Sequence, residues 1–347
     1  MSTKPTKPTS LDIAHRAQVS QATVSRALRN SPLVRPETRA RIQQIAQELR
    51  YRTDRSAAGL RTRRSHTLAL LLFEESLVAA QINPFFLSML GHITRRAAQK
   101  GFDLLVSFQQ LSDDWHKDYE VSNRADGLIL LGYGDYVSYA DRLRHLAEMG
   151  ARFVIWGPVV ENLPGHYLGC DNELGARLVT EHLLRLGRRR IAFAGCASDN
   201  SPEFQQRHRA YARALRAAGL GPIEALNVDA QSHPVSGYQA GTKLVESGVA
   251  FDAVVAASDM IAIGVIRALL DRGLRVPQDV AVTGFDDIVT ASFYNPPLTT
   301  VRQDTRLAGE LLVDNLIKLI EGEEFGSTLI TPELVVRASC GGGARPV

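Results

Sequence analysis

The sequence predicts a small all-helical N-terminal domain followed by a two-lobed α/β core, and three observations predict it. Two short amphipathic segments meet at a turn within residues 9–28. Positive charge is concentrated in the first fifth of the chain. From residue 66 onward, short apolar runs alternate with amphipathic stretches, and that rhythm occurs twice. At 347 residues, 45% hydrophobic and 22% charged, the chain is long enough for two or three domains with a sizeable core.

In TSLDIAHRAQVSQATVSRAL, Leu11, Ile13, Ala14 and Ala17 recur at helical spacing, Val19 sits in the turn, and Val24, Ala27 and Leu28 resume the pattern. Ser20 is placed to cap the second helix. The face opposite the apolar stripe carries Gln21, Ala22, Thr23, Ser25 and Arg26, side chains that can bond base edges or phosphates without the bulk that would keep a helix out of the major groove. An ordinary helical hairpin with a wet polar face has the same pattern, and charge decides between the two. Through Arg64 the chain holds fourteen Lys and Arg against four Asp and Glu, a balance of +10, so the remainder of a chain of net charge +3 stands at about −7. A basic head on an acidic body is the electrostatic footprint of a nucleic-acid-binding domain. Pro36-Glu37-Thr38 then starts a third helix, with Ile42, Ile45, Ala46 and Leu49 facing the first two. The following DRSAAGL, residues 54–60, lies among Arg52, Arg55, Arg61, Arg63 and Arg64 and is too short to be stably helical alone.

Strands are expected at 68–73, 104–108, 128–131 and 153–156, and again at 191–194, 225–228, 253–257 and 280–283. Helices around 174–186, 207–218, 237–247 and 260–272 separate the second set. Two such lobes predict a cleft with ligand groups on loops at the carboxyl ends of the strands.

Other classes are disfavoured. The polar start MSTKPTKPTS lacks the apolar core of a signal peptide, and no segment approaches the roughly 18 apolar residues of a membrane span, so a cytoplasmic, nucleoid-associated protein is expected. Cys170, Cys196 and Cys340 show neither disulfide nor zinc spacing. Gly132-x-Gly134 falls short of a dinucleotide fingerprint, no phosphate-binding GKS or GKT occurs, and no nucleophile and base accompany the adjacent Asp286 and Asp287. No cofactor, no metal and no enzymatic activity are expected. A stand-alone sugar-binding protein would need a signal peptide and no basic domain; an enzyme with a regulatory DNA-binding domain would need the missing chemistry.

TSLDIA, VSQATVSRAL, VRPETRARI, LRTRRSHTLALLL, NPFF, DGLILL, CDNELGARL, GRRRIAFAG, AASDMIAIG, VAVTGFDD and PPLTTVRQD follow one another in the order of the LacI-family transcription regulators, which the chain resembles from about Thr9 to Arg337. The resemblance implies a helix-turn-helix DNA-binding domain over 1–52, a hinge helix and linker over 53–65, and a periplasmic-binding-protein-like core over 66–340 with a tail over 341–347. Lobe one would take about 66–158 and 287–301, and lobe two about 165–284 and 302–340. Gln21 and Ala22 fall at the main base-reading positions, while Thr9, Ser20, Thr23, Ser25 and Arg26 match positions that contact phosphates or adjacent bases; Thr23 and Ser25 fit backbone-bonding helix residues equally well. Leu60 matches the hinge leucine that wedges into the minor groove, unstacking a base step in exchange for added contacts. Gln18 stands where the family usually has Gly, a departure that costs something if the position needs positive φ.

For the effector, the resemblance assigns Arg207 to ligand oxygens and Asp286 to ligand hydroxyls or ring nitrogens. Asn83, Phe85 and Ser258 are further candidates, with helix capping the competing role for Asp171, Ser258 and Asp259. Trp156 stands at the end of the fourth strand, before Gly157, where several relatives have a ligand-binding acid. Its indole would suit stacking on a pyranose, unless it is a core residue turned away. Gln231-Ser232-His233 replaces an aromatic found in some relatives. The function implied is a ligand-responsive regulator, a repressor by family habit, binding a pseudopalindromic operator as a homodimer with affinity set by a small molecule, a sugar or glycoside. The tail after Val336 lacks leucine heptads, so a dimer is expected rather than a tetramer.

Overall fold

The computed structural model describes residues 8–28, 30–49, 51, 64–73, 82–132, 136–158, 163–196 and 201–342; the hinge segment 54–60, with Leu60, lies outside them. The chain divides into two units, Met1–Ser65 and His66–Val347.

The first unit holds helices α1 (Ser10–Ala17), α2 (Gln21–Leu28) and α3 (Pro36–Glu48). Thr9 starts α1 through a reciprocal capping box with Asp12. Gln18 ends it in the left-handed conformation, φ 51°, so the position does need positive φ and Gln pays for it in strain. Ile13, Ala14, Ala17, Val24, Ala27, Ile42, Ile45 and Ala46 form a closed core, with Leu49 and Tyr51 packed against it. Leu11, expected on that stripe, is 63% exposed. It precedes Ile13 by two residues, about 200° around the helix, which puts it on the opposite side. Arg39 organises the α2–α3 connection by donating to the carbonyls of Ser31 at 2.8 Å and Val34 at 3.0 Å.

The second unit is built on two parallel sheets. The first contains β1 (Thr67–Leu72), β2 (Asp103–Phe108), β3 (Gly127–Leu131), β4 (Phe153–Trp156), β5 (His166–Cys170) and β11 (Thr328–Ile330), in the order β11-β5-β4-β3-β1-β2. The second contains β6 (Ile191–Ala194), β7 (Asn227–Val228), β8 (Ala253–Ala256) and β9 (Ala281–Thr283), in the order β7-β6-β8-β9. Both sheets reverse their winding beside their first strand, so each has a crevice at its carboxyl edge. Helix α4 (Pro84–Gln99) follows β1, α5 (Tyr136–Glu148) precedes β4, and α6 (Asn172–Arg185) follows β5. The second sheet carries α7 (Pro202–Ala217), α8 (Pro234–Glu246), α9 (Asp259–Asp271) and the short α10 (Val289–Phe293). Thereafter β10 (Thr300–Arg302) pairs antiparallel with β12 (Glu333–Val335), and α11 (Thr305–Glu321) lies between them in sequence.

The lobe boundaries expected from sequence are corrected by the pairing. Residues 166–170 and 328–330 are strands of the first sheet, and α11 packs on α4 and on β3 and β4, so all three belong to lobe one. Residues 287–301 go to lobe two instead, since Gly284 and Asp286 bond the carbonyls of Thr299 and Val301, and Ser339 joins Pro297 to Val282. The stripe Ala308, Leu312, Val313 and Leu316 of α11 is apolar toward any sheet, so its sequence position alone could not say which one it covers.

Candidate functional site: a recognition helix and an interlobe cleft

On the first unit, Gln21, Ala22 and Arg26 are exposed on α2, with Thr23 and Ser25 half-buried beside them. Ser20 caps α2, accepting from the Thr23 amide at 3.2 Å, and its hydroxyl lies 2.9 Å from that of Thr23. Thr23 is thus engaged in the helix start. The Gln21 amide donates to Ser10 at 2.8 Å, which ties the first residue of the exposed face to the start of α1. Thr9 is held by Asp12, its amide and hydroxyl donating at 2.7 and 2.8 Å, and these bonds hold the Asp12 carboxyl below its usual value.

On the second unit the site grows from strand ends. Arg207, 1% exposed on α7, donates through Nε to Asn172 at 2.8 Å and through a terminal nitrogen to the Ala257 carbonyl, and its plane lies 3.7 Å from the Phe285 ring centre. A terminal nitrogen also lies 3.8 Å from Asp286, a carboxylate 2% exposed that accepts from Gln303 at 2.7 Å. The buried charges are therefore paired and bonded, the condition under which a low-dielectric interior tolerates them. The Cys170 thiol, buried at the end of β5 beside this group, is pushed up to about 12 by burial. Asp286 and Asp287 both have positive φ, 118° and 55°, in the turn after β9. Asp287 is held by Arg302 at 2.7 Å and Arg337 at 2.7 Å, so the two adjacent acids point to different partners.

A second polar chain crosses between the lobes. Asn83 caps α4 by accepting from the Phe85 amide at 3.0 Å, and its Nδ2 donates to Ser232 at 3.0 Å. Ser232 donates to Ser258 at 2.8 Å, and Ser258 caps α9 by accepting from Ile261. Capping and cleft placement, alternatives for Ser258 in the sequence, coincide here, and Asn83 likewise caps its helix while bonding across the lobes. Asp171 caps α6 at Leu174.

Phe85 and Trp156 are placed elsewhere. They are 1% and 3% exposed, with ring centres 6.1 Å apart in the lobe-one core. An indole so covered offers no open face to a pyranose, which corrects the stacking role expected of Trp156. Asn172, Ser232 and Gln303 are not legible as site residues in the sequence. Asn172 looked like the opening of a helix; Gln303 follows a strand, β10, that was not recognised. Ser232 was noted only as a missing aromatic.

A sequence model of the bacterial regulatory proteins of the LacI family matches residues 9–54, which span all three helices of the first unit, and one of periplasmic-binding-protein-like domains matches residues 180–340. The regulator CelR of Thermobifida fusca is 32% identical over 342 residues, covering 96% of this chain and 98% of its own. The chain belongs to the LacI family. Another similar member is the ribose operon repressor of Escherichia coli, 29% identical over 94% of this chain and 98% of its own. Among solved members of the family, the lac repressor dimer bound to operator and an anti-inducer superposes with a TM-score of 0.81 at 28% identity, covering 96% of this chain and 99% of that one. A CelR–cellobiose complex superposes with a TM-score of 0.71 at 30% identity, covering 96% and 99%. Membership makes this chain a transcriptional regulator with an N-terminal DNA-binding domain and an α/β effector core. Among the described residues no helix is long and apolar enough to cross a membrane.

Proposed function

We propose that this LacI-family regulator is a cytoplasmic repressor rather than an enzyme. As a homodimer it would bind a pseudopalindromic operator with affinity controlled by a sugar or glycoside in the interlobe cleft. The observation that carries this reading is the presence, in one chain, of an exposed polar face on α2 and a buried Asn172–Arg207–Asp286–Gln303 cluster at the carboxyl ends of two sheets. Two α2 helices would read the two half-sites, Gln21 and Ala22 toward base edges and Arg26 toward phosphates. Leu60 would wedge at the centre of the operator. In an opened cleft the fork of Arg207 and the carboxylate of Asp286 would exchange present partners for vicinal hydroxyls, as polyol recognition requires. Relatives with ribose in their name or cellobiose in their structure support a carbohydrate effector. A ligand that prefers one placement of the lobes shifts the dimer between DNA-binding and released states by its differential affinity.

The test is a thermal-shift screen of sugars and nucleobases, cellobiose and D-ribose among them, followed by footprinting at the gene's own promoter with and without the hit. The expected outcome is a protected pseudopalindrome whose protection changes with the sugar. A protein that protects no such site in either condition overturns the reading.

A further inference from the structure

We propose that Asp259 is a positioning residue of the effector cleft: its buried carboxylate ties the start of α9 to the turn at residues 284–288 and so fixes Asp286 against Arg207 and Gln303. This rests on the cleft being the effector site. Asp259 is the first residue of α9 and wholly buried, yet the cap of that helix is Ser258. Its carboxylate is turned the other way. One oxygen accepts from the Ile288 amide at 2.9 Å, and the other accepts from the Thr300 hydroxyl. The Asp259 amide donates to the Phe285 carbonyl at 2.7 Å. One residue therefore holds the turn at Phe285 and at Ile288, on both sides of two residues with positive φ.

Such backbone persists only where its surroundings over-determine it. Phe285 is the ring against which the Arg207 plane lies, and the Asp286 amide is held by Val301 at 2.8 Å, one residue from the Thr300 that bonds Asp259. The backbone bond that holds Asp286 and the ring that lies against its partner Arg207 are thus each at, or one residue from, a contact made by Asp259. Gly284 is required for the approach, since a Cβ there would stand 2.1 Å from an Asp259 carboxylate oxygen. The charged groups nearby are Asp286 with Arg207 on one side and Asp287 with Arg302 and Arg337 on the other. Burial first, and the neighbouring Asp286 second, push the Asp259 carboxyl well above its ordinary value.

The experiment compares Asp259→Asn with the wild-type full chain by hydrogen exchange without ligand and by titration with cellobiose and D-ribose. Asparagine keeps the volume and replaces the charged acceptor with a neutral amide. The expected result is exchange at the 286 and 288 amides faster by about tenfold, the difference between a buried bond to a charged acceptor and one to a neutral acceptor, with α7 unchanged. Affinity for whichever sugar the wild type binds falls by about tenfold or more. Thr300→Val, which keeps the charge and loses one hydroxyl partner, gives a smaller change in the same direction and substitutes if Asp259→Asn does not fold. Unchanged exchange at 286 and 288, or exchange raised uniformly through lobe two, overturns the proposal. If neither sugar binds the wild type, it is the assignment of these sugars as effectors that fails, and exchange still decides the place of Asp259.

Discussion

Arg207 shows how one side chain serves both fold and recognition. Its fork is committed to Asn172 and Ala257, its plane to Phe285, and its charge to Asp286. Arg207→Ala would leave a buried carboxylate without its cation and is expected to cost about 3–5 kcal/mol in urea unfolding. Arg207→Lys keeps the charge and loses the fork, so stability recovers in part while sugar affinity stays low. In the first unit, Thr9→Ala removes a helix cap worth about 1 kcal/mol. Asp12 makes the same cap pH-dependent. Its folded carboxyl titrates below the usual 3.8, so its contribution is fully present above that value and is lost as pH falls through the lowered one. Exchange of the α1 amides in the full chain, followed from pH 7 down to 2, is expected to rise in that window for the wild type and to be fast throughout in Thr9→Ala.

At the scale of elements, the helix starts carry more than local order. Asn83 and Ser258 cap helices in different lobes, and Ser232 joins the two caps. Ser232→Ala is therefore expected to speed exchange at the Phe85 amide, across the cleft in lobe one, as well as at the start of α9; a change limited to lobe two would show that the link carries no load. Val289 and Phe293, one turn apart on α10, are 74% and 83% exposed, an apolar pair left open to a partner surface. Phe293→Asp is expected to shift the sedimentation equilibrium toward monomer. Elements with a strong period were legible in the sequence: α1 to α3 and the apolar strands of both sheets follow from their spacing. β5, HYLGC, and β10 were not, because one contains a glycine and the other is three residues long. Without them the sequence had no means of placing Gln303 or Asn172 beside Arg207.

For the whole molecule, the chain passes between the lobes three times, after β5, after β10 and after β11. Misassigning α11 followed from this, since a helix remote in sequence from the first sheet completes it. Two of the passages are bonded to each other through β10 and β12, and Asp287, Arg302, Glu333 and Arg337 surround them with ion pairs. Three passages between the same two lobes favour rotation about a common axis, a hinge, over a slide.

Asp286 and Gln303 flank the second of these passages, so the groups that would grip the effector lie beside the strands that join the lobes. A lever pressed near its fulcrum moves little at the point of pressure and much at its tip. At the opposite end of lobe one from its carboxyl-edge crevice is the amino end of β1, where the His66 amide is anchored on Asp126 at 2.9 Å and the chain arrives from the DNA-binding unit. A small rotation at Asp286 would thus be enlarged by the time it reaches the end of lobe one at which the chain enters.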